Sequence, residues 1–197
     1  MTGYSDRINH ALAFAAKHHD QQVRRGVRLP YLTTPPNVGI ILTRYGQSDD
    51  TVIAGILFNV ARDYVDAGQS EELIHQRLGE KFGAPVLETV LAAVSRRANS
   101  SGVEFSSDER LADYLATLAQ TPEASRWVIA ADALHDAASL LAEVRRTIDP
   151  TVAWQRRSGA RGMVWYRSLV KALRDAGFRT AIVDELQDVV EALEAAR

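Results

Sequence analysis

The residues with the widest chemical range in this sequence are five histidines, His10, His18, His19, His75 and His135. No two stand four apart, so the H-x-x-x-H spacing that puts two imidazoles on one helix face for a metal is missing. His18 and His19 are adjacent. On a helix adjacent side chains point in different directions, so one is expected partly buried and the other wet. Asp132 and His135 stand three apart and share a helical face, either as two metal ligands or as a polar contact inside a helical protein. Arg24-Arg25 sits in a stretch bounded by Gly26 and Pro30. It reads as an anion or base-stacking site, or as solvated surface arginine. Arg145, Arg146, Arg156, Arg157 and Arg161, with Asp149 as the one acid among them, form a basic patch. Its two readings are a phosphate site and a counterweight to Asp184, Glu185, Asp188, Glu191 and Glu194. A P-loop, a dinucleotide fingerprint and a G-x-S-x-G elbow are absent from the sequence. The chain has no cysteine, which removes disulfides, thiolate metal sites and cysteine nucleophiles.

The elements that must position these residues read as helices almost throughout. Ser5 caps a helix with an apolar stripe through Ile8, Leu12, Ala15, Ala16 and His19. Residues 24–36 carry Gly26, Pro30, Pro35 and Pro36 and read as a loop. A short helix is expected from Asn37 to Tyr45. Ser48-Asp49-Asp50 opens a helix apolar on every side, which predicts a central, buried position. Ser70 caps the next, with Gly83 near its stop, and Pro85 starts another. Residues 95–107 read as a flexible loop. Helices are then expected from Ser107 to Gln120 and, behind Thr121-Pro122-Glu123, to Arg146. A polar loop over 147–159 precedes helices over 161–176 and 180–195. No segment alternates like a strand. The reading is an all-α bundle of eight to ten helices in a single domain over 1–197.

Composition narrows the class. Of 197 residues, 46% are hydrophobic and 24% charged, which fits a globular chain with a real core. A net charge of −2 supplies no global field for nucleic acid or an anionic membrane, so neither is an expected partner. No apolar run reaches the ~18–20 residues of a spanning helix. The N-terminal stretch has no cationic start leading into an apolar run, so no signal peptide is expected. A cytoplasmic location is the expectation.

Three segments resemble one family. They are HHDQQVRRGVRLPYLTTPPNV (18–38), DDTVIAGILFNVARDY (49–64) and VIAADALHDAASL (128–140). Their order and separation are similar to the HD-domain (p)ppGpp pyrophosphohydrolases of the RelA/SpoT type, in their small stand-alone form. GMVWYRSLVKAL (162–173) resembles the aromatic helix that closes such domains. The match spans about residues 5–175, leaving the helix over 180–195 outside it. The resemblance implies an HD-domain-like all-α fold, and a hydrolase of the alarmone 3′-diphosphate that uses one Mn²⁺. In the family, a His in Tyr-x-x-His-Pro, an adjacent His-Asp pair and a distant Asp hold the metal. A Glu-Asp pair one turn after the His-Asp serves the chemistry, and the metal activates water.

This sequence departs from that pattern at most of those positions. The first His falls on Thr34 and the His-Asp pair on Phe58-Asn59, while the last ligand survives as Asp132. The Glu-Asp pair falls on Arg62-Asp63. Phe58 has no donor atom, and Thr34 and Asn59 offer only neutral oxygens, a poor set for Mn²⁺. Asp63, Asp132 and His135 are the alternative ligands if their geometry converges. Arg62 argues against that and is expected to stand in for the missing cation by bridging Asp132 and Asp63, with Phe58 filling the vacated volume. Arg24, Arg25 and Tyr31 fall on nucleotide-binding positions, and Asp136 replaces an Asn near the base.

The expectation is a catalytically degenerate, metal-free pseudoenzyme of the stringent-response type with no cofactor. It would bind a guanine nucleotide or another phosphorylated small molecule, or a protein partner. The alternatives are a metal-dependent phosphohydrolase with an unconventional site acting on ppGpp or a related nucleotide, and a structural or oligomerisation module without a small ligand.

Overall fold

Every residue from 51 to 61 is buried, on a helix that opens at Ser48, whose hydroxyl accepts the Thr51 N–H. This helix is the axis of the fold, as its all-round apolarity predicts. The computed structural model describes residues 4–23, 30–146 and 159–196. In chain order the described helices are α1 (Asp6–His18), α2 (Thr34–Arg44) and α3 (Asp49–Asp66). An irregular α4 follows over 71–82, in which a π turn, His75–Gly79, joins Glu71–Ile74 to Glu80–Phe82. Then come α5 (Ala84–Ala93), α6 (Ser107–Thr117), α7 (Glu123–Arg146), α8 (Gly159–Asp175) and α9 (Ala181–Ala195). A 3₁₀ turn, Tyr31–Thr33, leads into α2. No strand occurs among the described residues, only isolated bridges, Val23 with Pro30 and Ala98 with Glu104. The fold is all-α, as expected.

α1, α2, α5 and α7 pack around α3, and α7 carries α9 on its other side. The α2–α3 crossing is close because two glycines face bulky partners. A Cβ on Gly55 would lie 2.3 Å from Leu42 Cδ1, and one on Gly39 would lie 3.1 Å from Ile56 Cγ1. α9 is tied to the body by Glu185, which receives Arg44 and the Tyr45 hydroxyl.

Several boundaries correct the sequence reading. α2 begins at Thr34 rather than Asn37, because Pro35 and Pro36 occupy a first turn where a missing N–H costs nothing. Segment 95–107 is a closed turn rather than a simple flexible loop. Asn99 Oδ1 accepts the N–H groups of Ser101 and Val103, both at 3.0 Å, and Arg97 pairs with Glu104. On α1 the buried stripe is Ile8, Ala11 and Ala15, with Leu12 only half-buried. Arg156, Arg157 and the loop over 147–158 lie outside the described residues. Three of the five acids of α9 pair with other cations: Arg44 with Glu185, Arg174 with Asp184 and Arg167 with Glu194.

Candidate functional site

Three helices each present one stripe of residues at i, i+3, i+4 and i+7 to a shared cleft. α3 gives Asn59, Arg62, Asp63 and Asp66; α6 gives Ser107, Arg110, Leu111 and Tyr114; α7 gives Ile129, Asp132, Ala133 and Asp136. This spacing aligns side chains on one helical face. Phe58, Gln22, Val23, Tyr31, Thr34, Ser95 and Trp165 complete the walls of a cavity of about 980 Å³.

The inner end holds the positions that the family resemblance marks as metal ligands. Asn59 Nδ2 donates to Asp132 Oδ1 at 3.1 Å. Thr34 Oγ1 and Asn59 Oδ1 are buried without a hydrogen-bond partner. Arg62 lies over the Phe58 ring, its guanidinium carbon 5.7 Å from the centroid, and donates to the Tyr31 hydroxyl at 2.8 Å. Burial opposes its charge, but Asp132, then Tyr31, Asp63 and Asp66, outweigh that and raise its pKa. The bridge from Arg62 to Asp132 and Asp63 stays an expectation: the hydrogen bond described for Arg62 goes to Tyr31, and Asp132 and Asp63 act on it as nearby charges.

The Mn²⁺ that the resemblance implies does not fit these residues. Phe58 offers no donor, Asn59 turns its N–H toward the one carboxylate, and a permanent cation stands beside them. Of the alternative ligands, Asp132 and Asp63 line the cleft, whereas His135 is not among its lining residues.

Toward the cleft mouth the geometry corrects the sequence reading of the paired histidines. His18 and His19 do not diverge; both face Asp63. His18 Nε2 lies 3.0 Å and His19 Nδ1 3.8 Å from Asp63 Oδ2. One ligating atom from each of the three lies within 4.8 Å of the others. The reason is local. His18 is the last residue of α1 and His19 its cap, with φ −98° and ψ 11°, so the chain leaves helical geometry between them. Their rings meet edge to face at 4.7 Å. His19 is fully buried, and burial, only partly offset by the Gln22 hydrogen bond, lowers its pKa.

The sequence reading missed Arg110, Tyr114, Trp165 and Gln22. Arg110 donates to Asp66 at 2.6 Å and to the Ser95 hydroxyl and carbonyl, both at 2.9 Å, fixing the outer wall. Tyr114 and Trp165 stack at 5.8 Å with 23° between planes. The available signal was the polar interruption of α6 at helical spacing. Asp136 lines the cleft and accepts the Tyr166 hydroxyl at 2.7 Å, and Tyr31 lines it as well. Arg24 and Arg25 lie outside the described residues. The chain on either side of them, at Val23 and Tyr31, lines the cleft.

Among the described residues no helix is long and apolar enough to cross a membrane. No curated protein matches the chain. One similar solved structure is that of a metazoan ortholog of SpoT, described as hydrolysing ppGpp and playing a role in starvation responses. It shares 22% identity and a TM-score of 0.70, over 97% of each chain, a likeness of fold. The family model described as HD domain matches residues 11–110, from α1 through the start of α6, and with over half its length so matched the chain belongs to the HD domain family.

Proposed function

We propose that this protein is a pseudohydrolase without a metal at the inner end of the cleft, which binds a phosphorylated guanine nucleotide of the ppGpp type there and regulates without hydrolysing it. The carrying observation is Arg62. A hydrolase of this architecture needs a dication and a proton-handling carboxylate at the inner end of the cleft. At that point this chain has a guanidinium held by the field of Asp132 and hydrogen-bonded to Tyr31. A guanidinium neither activates water as a metal does nor accepts a proton at neutral pH.

Two features of the cleft support this reading. Its volume of about 980 Å³ accommodates a nucleotide, and the Tyr114–Trp165 pair offers an aromatic wall. In the sequence Arg24 and Arg25 fall between two cleft-lining positions, Val23 and Tyr31, and the family resemblance makes them phosphate-binding candidates beside the Arg62 and Arg110 of the described walls.

The test is thermal unfolding in EDTA with ppGpp, GTP, GDP or inorganic phosphate, followed by a pyrophosphate-release assay with ppGpp and Mn²⁺. The expected result is stabilisation by ppGpp in EDTA and no Mn²⁺-dependent release. No shift with any nucleotide would leave a purely structural module. Turnover with Mn²⁺ would overturn the pseudohydrolase assignment.

A further inference from the structure

We propose that His18, His19 and Asp63 form a binding site for one divalent transition-metal ion of the zinc class, at the mouth of the cleft. This site uses none of Thr34, Phe58, Asn59 and Asp132. Two imidazoles and one carboxylate are the donor set that suits zinc, cobalt or nickel. The spacing is also right. Ligand atoms around a tetrahedral ion at ~2.0–2.1 Å sit about 3.3 Å apart. The separations of 3.0 Å and 3.8 Å from Asp63 Oδ2 to the two ring nitrogens bracket that edge.

Gln22 extends the set. Its Oε1 lies 2.8 Å from His19 Nδ1 and its Nε2 3.2 Å from Asp63 Oδ2. A small movement brings the amide oxygen to a fourth position; otherwise water takes it.

Packing holds the rings in place before any ion arrives. The His19 ring lies 4.7 Å from that of Tyr31, and the His18 ring 5.3 Å from that of Tyr64 at 89°. The His18 and Asp63 side chains are 20% and 34% exposed, so an ion has a path from solvent. The neighbouring Arg62 turns its guanidinium to Tyr31, and its charge is opposed chiefly by Asp132.

The test is titration of the full chain with Co²⁺, read by the visible d–d absorption of a four-coordinate ion, with Zn²⁺ as competitor. The expected result is one equivalent of Co²⁺ displaced by Zn²⁺. Affinity should fall about tenfold or more in His18→Gln and in Asp63→Asn, each of which removes one ligand. His10→Gln should stay within about twofold of the parent, since His10 is not a ligand. Circular dichroism confirms that each variant is folded, and the two ligand variants test the same claim independently. Absence of bound Co²⁺, or binding insensitive to both ligand substitutions, overturns the proposal. The nucleotide test is run in EDTA, so the two assignments fail separately.

Discussion

Asn59 donates its side-chain N–H to Asp132 at 3.1 Å, joining α3 to α7 across 73 residues of sequence. In the family that the sequence resembles, these two positions are metal ligands. Here the amide N–H donates directly to the carboxylate, so the two positions are joined by a hydrogen bond, while Asn59 Oδ1 stays buried without a partner.

Rebuilding the ligand set tests that relationship. Thr34→His, Phe58→His and Asn59→Asp together, with Asp132 retained, should give a protein whose melting temperature rises with Mn²⁺ more than the parent's. Phe58 is 5% exposed, so the triple variant should be less stable without metal, by somewhat less than the ~3–5 kcal/mol of a buried Phe→Ala change. Hydrolysis should require Arg62→Glu in addition. Equal Mn²⁺ responses in parent and variant would refute the mapping.

Arg62 should matter for stability as well. Arg62→Met removes the cation facing Asp132 and the donor to Tyr31, and should cost about 1–3 kcal/mol in chemical denaturation. Adding Asp132→Asn should recover part of that loss, because the uncompensated charge goes with it. Strict additivity in the double variant would show that the two residues are not coupled.

Nucleotide affinity should depend on the arginine pair of the sequence. Arg24→Ala, and Arg25→Ala as a second variant, should each weaken ppGpp binding by roughly 1–3 kcal/mol, the range for a charged phosphate hydrogen bond or a stacked guanidinium. Isothermal titration of the single and double variants measures this. Unchanged affinity in the double variant would put the binding determinants elsewhere.

Gly55 sets the approach of α2 to α3. Gly55→Ala places a methyl 2.3 Å from Leu42 Cδ1, and Leu42 is wholly buried. The Leu42 side chain must give way, at a cost of about 1–3 kcal/mol by overpacking. Combining it with Leu42→Ala should relieve that strain. A Gly55→Ala variant as stable as the parent would mean that Leu42 has room to move.

Acid should loosen α9. Burial favours the neutral form of Glu185, but hydrogen bonds from Arg44 and Tyr45 and the Arg44 charge outweigh it and hold its pKa below the ordinary 4.5. Burial and Glu185 push the Tyr45 hydroxyl up to about 12, so it stays a donor. A carboxylate with a depressed folded-state pKa stabilises fully above its unfolded value and loses that contribution as pH falls through the folded one. Stability should therefore decline from pH 4.5 downward, and Glu185→Gln should flatten part of the decline. Melting curves from pH 6 to pH 3 compare the two, and identical slopes would rule out this contribution.

What the sequence determined by itself is the helical fold, the buried axis and the presence of Phe58, Asn59 and Arg62 where the family resemblance implies two metal ligands and a catalytic carboxylate. These follow from local facts. Continuous apolarity over 52–58 leaves this part of α3 no polar face to show to solvent. Phe58 cannot ligate an ion wherever it points. The tertiary structure decided what depends on two or more elements meeting. Asp63 faces both histidines only because α1 loses its helical turn at His19 and α3 passes beside it. Tyr31 receives Arg62, and Arg110 locks Asp66 to Ser95, across separations that no periodicity encodes. Helical spacing orders side chains on one element. Only packing brings the stripes of α3, α6 and α7 to a common cleft.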